Sequence, residues 1–237
     1  MCGRFTLHTE QEILTRRFRV GSEELAALEP RYNIAPTQPI LTVHVGRDGP
    51  TVAEMRWGLI PPGTRDVSKL PPMINARSET AATRRAYRHP YRRQRCLVLA
   101  DGFYEWGPAG VSRQARSPFW ISLASGEPFA MAGLWTAWKP PEPELDEGFR
   151  LTCTILTAPA NAAVGQIHDR MPVILHPEAE GAYLDPDLRD VASVRRLLEP
   201  VPADALRLVP VSRRVNSARN DGPALIHAVP EPPTLGF

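Results

Sequence analysis

The 237-residue sequence predicts an α+β fold in one domain, with a mainly antiparallel, bifurcated or barrel-like β-sheet core flanked by short helices. Three observations predict the class. Apolar, β-rich runs follow one another through the middle of the chain with only short turns between them. Helical patterns lie before and after that block. No regular strand–helix–strand alternation is present. The length suits one large domain better than two small ones. A composition of 43% hydrophobic and 23% charged residues is that of a globular protein with a buried core.

The elements follow in order. Thr9 to Glu12 has the pattern of a capping box, and Ile13, Leu14 and Phe18 come after it at helical spacing, so a helix is expected over about 9–18. Residues 21–30 read as a loop with a short helical turn. "PILTVHV" (39–45) and "TVAEMRW" (51–57) read as a strand pair around the turn "GRDGP". "IPPGTRDVSKLPP" holds too many breakers for an element and reads as an exposed loop. "SETAATRRAY" reads as a helix with Ser78 at its N-cap. "RCLVLADGFYEW" reads as strand, Asp-Gly turn, strand. "PFWISL", "PFAMAGLWTAW", "FRLTCTILTAPA" and the short "MPVIL" continue the strands. "PEAEGAYL" and "DVASVRRLLE" read as helices, "LRLVPVS" as a last strand, and the segment from Asn216 as loop. The acidic, proline-bearing stretch 142–148 has no assignable role.

Composition excludes several functions. The formal net charge of +2 creates no strong field for polyanions, although the basic residues are 26 arginines and only two lysines, Lys69 and Lys139. Genomic base composition explains that bias without function, while arginine also suits bidentate phosphate contact. The 26 prolines are spread along the chain and imply many turns. No apolar run approaches ~20 residues, so no transmembrane helix is expected. The N-terminus has Arg4 and a polar helix start rather than a signal-peptide pattern, so a cytoplasmic location is expected. Three cysteines, Cys2, Cys96 and Cys153, give an odd count with no CxxC pair, so neither a disulfide framework nor a zinc site is expected. No metal or other cofactor is predicted.

Four short stretches carry chemistry. In "MCGRF", removal of Met1 would leave Cys2 with an α-amine and a thiol on one residue. Their reference pKa values, ~7.7–8.0 and ~8.5, leave both partly deprotonated near neutral pH. A 1,2-aminothiol captures aldehydes: the amine forms an imine, and the nearby thiol closes a five-membered thiazolidine. Taken alone, Cys2 reads as an incidental small residue at a terminus. "PPMINARSET" puts Asn75 and Arg77 just before a helix start, where backbone N–H groups can face an anion. "ADGFYEWG" places Glu105 between Tyr104 and Trp106, a setting that can raise a carboxyl pKa for proton transfer. The plainer alternative is an outward-facing strand residue. "QIHDRMPVIL" puts His168 at a strand entrance, where it can cap a loop or act as a general acid or base.

In combination, "MCGRF", "RYNIAPTQ", "RWGLIPP", "MINARSET", "ADGFYEW", "LWTAW", "ILTAPAN", "IHDRMPVIL" and "VSRRVN" resemble the SRAP family, the SOS-response-associated peptidases, also called abasic-site processing proteins. The matching blocks run in order over about 1–220, leaving 221–237 as a tail of a single SRAP-type domain. The resemblance implies binding to single-stranded DNA that carries an abasic site. It also implies a thiazolidine DNA–protein crosslink between Cys2 and the aldehyde of the ring-opened sugar, which shields the lesion. It further implies lyase-like chemistry, with Met1 removed either by the protein itself, as its peptidase activity, or by a cellular aminopeptidase; a monomer without a membrane partner is expected. The cytoplasmic protein would sit on the nucleoid when bound to DNA.

The resemblance also assigns roles by position. Cys2 is the nucleophile, Glu105 moves protons, His168 assists ring opening beside the 3′ phosphate, and Asn75 holds the cysteine. Arg4, Arg77, Arg85 and Arg170 match positions that contact phosphates, which position a strand without reading sequence. Trp106 packs against the nucleotide or sugar, or else into the core. One departure stands out. Many relatives carry a large aromatic after the "WGL.P" block that helps splay the DNA. Here Ile60, Pro61 or another loop residue would wedge instead, or the wedge would be weaker. Two other functions fit parts of the pattern. N-terminal-nucleophile amidotransferases also begin Met-Cys-Gly but lack Arg4-Phe5. A non-covalent module for single-stranded or modified DNA would use the arginines alone.

Overall fold

The computed structural model describes residues 2–21, 23–25, 28–47, 49–109, 112–141 and 150–229. In chain order the elements are β1 (Phe5–Leu7), α1 (Gln11–Phe18), β2 (Arg31–Ile34), β3 (Pro39–Val45), β4 (Pro50–Trp57), β5 (Asn75–Arg77), α2 (Ser78–Ala81), α3 (Arg88–Arg93), β6 (Arg95–Ala100), β7 (Gly102–Ala109), β8 (Ser112–Leu123), β9 (Phe129–Trp138), β10 (Arg150–Pro159), β11 (Arg170–Pro172), α4 (Pro177–Leu184), α5 (Val191–Arg196) and β12 (Leu206–Pro210). This is the α+β class with a mainly antiparallel core. Among the described residues, no helix is long and apolar enough to cross a membrane.

The strands form two sheets. In one, β10, β4, β3, β6 and β9 pair in a ring, because β9 also pairs with β10, so five strands close a barrel. Strands β5 and β11 extend β10 beyond the ring, β5 parallel to it and β11 antiparallel. The second sheet has the order β12-β8-β7-β1-β2. Alternating apolar residues on β3 and β4 make their hairpin. On β6 every residue is buried, as a strand covered on both faces requires. Phe5, Trp57, Leu97, Leu99, Phe103, Met131 and Ile155 belong to one core shared by both sheets. A smaller cluster of Tyr104, Val209, Val211, Val215 and Leu225 is separate from it.

Several local expectations are corrected. The Asp-Gly step at 101–102 is not a hairpin turn. It is where the chain leaves the barrel (β6) for the second sheet (β7). Asp101, 5% exposed, fastens that corner. It accepts hydrogen bonds from the Thr6 and Thr9 hydroxyls and from the backbone N–H groups of His8 and Thr9. Thr9 therefore caps no helix. α1 starts at Gln11 behind Glu10, with no side-chain cap.

The helix expected from Ser78 stops at Ala81, with Arg77 and not Ser78 at the cap position, and a new helix begins at Arg88. Strands β1, β2 and β5 lay outside the expected elements, because three- and four-residue strands show too few alternations to read. The loop after Trp57 is largely exposed, but Ile60 is buried. Its N–H donates to Thr152 Oγ1 at 2.9 Å and its carbonyl accepts from Thr136 at 2.8 Å, so it is no wedge. The stretch 142–148 lies outside the described residues.

Candidate functional site

The site forms where the second sheet meets the open edge of the barrel. Strand β1 runs between β2 and β7, with Phe5 opposite Phe103 and the Tyr104 N–H donating to the Arg4 carbonyl at 2.9 Å. That register brings the residues ahead of Phe5 alongside Glu105. From the barrel side comes Asn75, first residue of β5, opposite Ile155 of β10. Trp57, fully buried and edge-on to Phe5 at 5.2 Å, fixes the chain just before it, since its Nε1 donates to the Ile74 carbonyl at 2.9 Å.

Asn75 and Cys2 meet directly. Asn75 Nδ2 donates to the Cys2 carbonyl at 2.7 Å, across a sequence separation of 73. Asn75 Oδ1 is buried with no hydrogen-bond partner among the described residues. Cys2 is fully buried, and its thiol faces the Arg4 carbonyl at 3.9 Å. Burial pushes the thiol pKa well up, and the negative charge of Glu105 adds to the shift.

Glu105 is 2% exposed, so it is not an outward-facing strand residue. Strand alternation separates it from its aromatic neighbours. Tyr104 and Trp106 belong to the smaller cluster, and the Trp106 Nε1 donates to Asn216 Oδ1 at 2.8 Å. Glu105 faces the other way. Burial raises its carboxyl pKa, and positive charge around it, His168's included, pulls the other way.

His168 ends a tight loop organised by Asn161. Asn161 Oδ1 accepts the N–H groups of Ala163 and Val164, and its Nδ2 donates to the Val201 carbonyl at 2.9 Å. The loop lies close to β7 because residue 107 is glycine. A Cβ there would stand 2.8 Å from Ile167 Cγ2. The ring is held by Nδ1, which accepts the Arg170 N–H at 3.0 Å and lies 3.0 Å from Asp169 Oδ1.

The four arginines separate into two kinds. The side chains of Arg77 and Arg85 are exposed and make no hydrogen bond to a described residue. Arg4 is committed to the fold, donating to Asn33 Oδ1 at 2.6 Å and to the Val215 carbonyl at 2.8 Å. Arg170 is committed too. It grips Glu79 through two hydrogen bonds of 2.9 Å and reaches Thr157 Oγ1 and the Thr157 carbonyl. The guanidinium in turn holds the Glu79 carboxyl below its ordinary pKa. Glu79, Asn161 and Asn33 were not singled out from sequence. Each acts on a partner 40 or more positions away, and no local spacing announces such a pair. Among the described residues, no group of three or more His, Cys, Asp or Glu side chains is placed to hold a metal ion.

Comparison with known proteins adds the following. Residues 1–218 match the family model "SOS response associated peptidase (SRAP)". The chain is 40% identical over 230 residues to the abasic site processing protein YoqW of Bacillus subtilis (strain 168), covering 96% of this chain and all of that one. It is 34% identical to the abasic site processing protein YedK of Escherichia coli (strain K12), over 97% of this chain and all of the relative. A crystal structure of a protein from Bacteroides thetaiotaomicron superposes with a TM-score of 0.82 over 96% of this chain and all of that one, at 22% identity, a likeness of fold.

Proposed function

This chain belongs to the SRAP family, and on that premise we propose that it processes abasic sites in single-stranded DNA by forming a thiazolidine crosslink through Cys2. The observation that carries the reading is the hydrogen bond from Asn75 Nδ2 to the Cys2 carbonyl at 2.7 Å. It holds the cysteine beside a buried carboxyl whose pKa is raised. A merely structural cysteine at this position would need neither group.

Hydrolysis of the Met1–Cys2 bond frees the α-amine of Cys2. Asn75 Oδ1, buried without a partner, offers that amine an acceptor. The burial that raises the thiol pKa disfavours thiolate, so the amine attacks first. The amine nitrogen adds to the C1′ aldehyde of the opened sugar, and the resulting carbinolamine loses water to give an imine. Glu105, whose burial shifts it toward the acid form, protonates the departing hydroxyl, which leaves as water, and takes up the nitrogen's proton. Sγ then adds to the imine carbon and the thiol proton passes to nitrogen, closing the ring. Holding the amine and the thiol on one residue makes this second step intramolecular. His168, tied by Nδ1, works on sugar opening through Nε2.

Arg77 and Arg85 take phosphates directly. Arg170 takes one by exchanging Glu79 for it. Glu79 is nearly half exposed, so that ion pair is worth on the order of 1 kcal/mol or less and a phosphate can replace it. Arg4 orients the cysteine segment from its place in the fold. Trp106 lends its partly exposed ring to the nucleotide or sugar.

The test is a denaturing gel after mixing the protein with single-stranded DNA that carries one abasic site. A slow-migrating band is expected from wild type and none from Cys2→Ala. Absence of the band in wild type, or equal bands in both, removes the covalent mechanism. The intact mass of the crosslinked species shows whether Met1 is gone.

A further inference from the structure

Several arginines of this protein are held by the fold. Arg17 grips Glu180, Arg170 grips Glu79, and Arg189 pairs with Asp187. Arg95, buried, bonds the carbonyls of Tyr91, Tyr183 and Asp185. One stretch is mostly left outside such contacts, although Arg92 donates to the Arg189 carbonyl at 3.1 Å. Residues 80–95, "TAATRRAYRHPYRRQR", carry six arginines and no acidic residue. Five of the six, Arg84, Arg85, Arg88, Arg92 and Arg93, are exposed, and none forms an ion pair with a described residue.

Their placement is regular. The Arg88 N–H donates to the Arg84 carbonyl and the Tyr91 N–H to the Tyr87 carbonyl, so a helical path starts before α3. Arg84, Arg88 and Arg92 are four residues apart, on one face, with about 6 Å of rise between successive members. The opposite face is fixed. Pro90 and Tyr91 are buried, and Arg95 holds the Tyr91 carbonyl from below. At one end the stripe runs through Arg85 and α2 into Arg77 and Asn75, the residue on Cys2. Five like charges held together without counter-charge repel one another, and a polyanion relieves that repulsion.

We propose that this stripe is a second nucleic-acid contact track, which takes the phosphodiester backbone of the DNA flanking the lesion. The inference rests on the reading of the site as one for DNA, and deepens it. Arg77 and Arg85 hold the lesion itself, while Arg88, Arg92 and Arg93 hold phosphates farther along. The track gives length and salt dependence without sequence preference, since it touches no base.

The test uses full-length Cys2→Ala protein, so that binding is reversible, with and without Arg88→Ala, Arg92→Ala and Arg93→Ala together. Affinity is measured against salt for three DNAs with a stable abasic analogue. One is a short lesion-centred single strand, one has a long single-stranded flank, and one has a duplex flank. The triple variant should flatten the slope of log affinity against log salt by about 2 on at least one long-flanked DNA, at about 0.7 per single-strand phosphate contact. On the short DNA the slopes should coincide. The corresponding triple Lys variant should restore the slope, which a misfolded protein would not.

Which long-flanked DNA loses slope tells single strand from duplex. Equal slopes on both, in a variant with an unchanged melting temperature, overturn the track and leave the lesion site standing. A flat salt dependence already in Cys2→Ala alone overturns the DNA reading itself.

Discussion

Glu105 is the residue whose surroundings matter most to the proposed chemistry. Because burial raises its pKa, folding shifts it toward the acid form relative to the unfolded chain. The sign follows from linkage. Its contribution to stability is complete below the ordinary carboxyl pKa and is lost as pH rises through the raised value. Glu105→Gln cannot ionise and is spared that loss. The difference in melting temperature, variant minus wild type, should therefore grow more positive from pH 4 to pH 8, by roughly 2–4 °C per kcal/mol of relieved strain. The same variant should form the crosslink more slowly on a gel time course. A constant melting difference across pH would show that Glu105 is not strained by ionisation. Cys2 and Glu105 stood out in the sequence only in combination with the other motifs, since each alone had a plainer reading. Arg170 was legible only as a cation. That it closes on Glu79 is a fact about two strands and a helix, 91 positions apart.

At the scale of elements, the hairpin of β3 and β4 and the long central strands could be read from alternation, since seven or more residues repeat the pattern enough times. The three short strands that build the site, β1, β2 and β5, could not. They are strands only because longer neighbours pair with them. The switch at Asp101 was misread for a related reason: Asp-Gly is a turn signal, and nothing local says that the next strand joins a different sheet. The approach of the His168 loop to β7 depends on one absent side chain. Gly107→Ala would place a Cβ 2.8 Å from Ile167 Cγ2 and 3.2 Å from Phe119 Cε2. Overpacking of this kind costs about 1–3 kcal/mol. The loop is the softer partner, so the variant should melt a few degrees lower and crosslink more slowly, with the rate falling further than stability alone explains. An unaltered rate would mean that the position of His168 does not limit the reaction.

On the scale of the whole molecule, Asn33 joins distant parts of the chain. Its Nδ2 donates to the carbonyls of Val215, Ser217 and Asn220, and its Oδ1 accepts from Arg4. Asn33→Ala leaves three carbonyls, that of Val215 buried, and a guanidinium without that partner, at about 1–3 kcal/mol. Thermal melting should show the loss, and limited proteolysis should cut sooner within 213–220. Intact protection of that segment would show that its own turns suffice. The contact from Arg4 to Val215 spans 211 residues, and this sets an order in time. Ribosomes add about 5–20 residues per second, so roughly ten to forty seconds separate the appearance of Arg4 from that of its partner. During that interval Cys2 has no finished pocket to enter, and an aminopeptidase meets Met1 on an open chain. Afterwards the cysteine is wholly enclosed. On the proposed function, the enclosure of Cys2 therefore also sets a deadline for unmasking it from outside, one fixed by how late in synthesis the strand's last partner arrives.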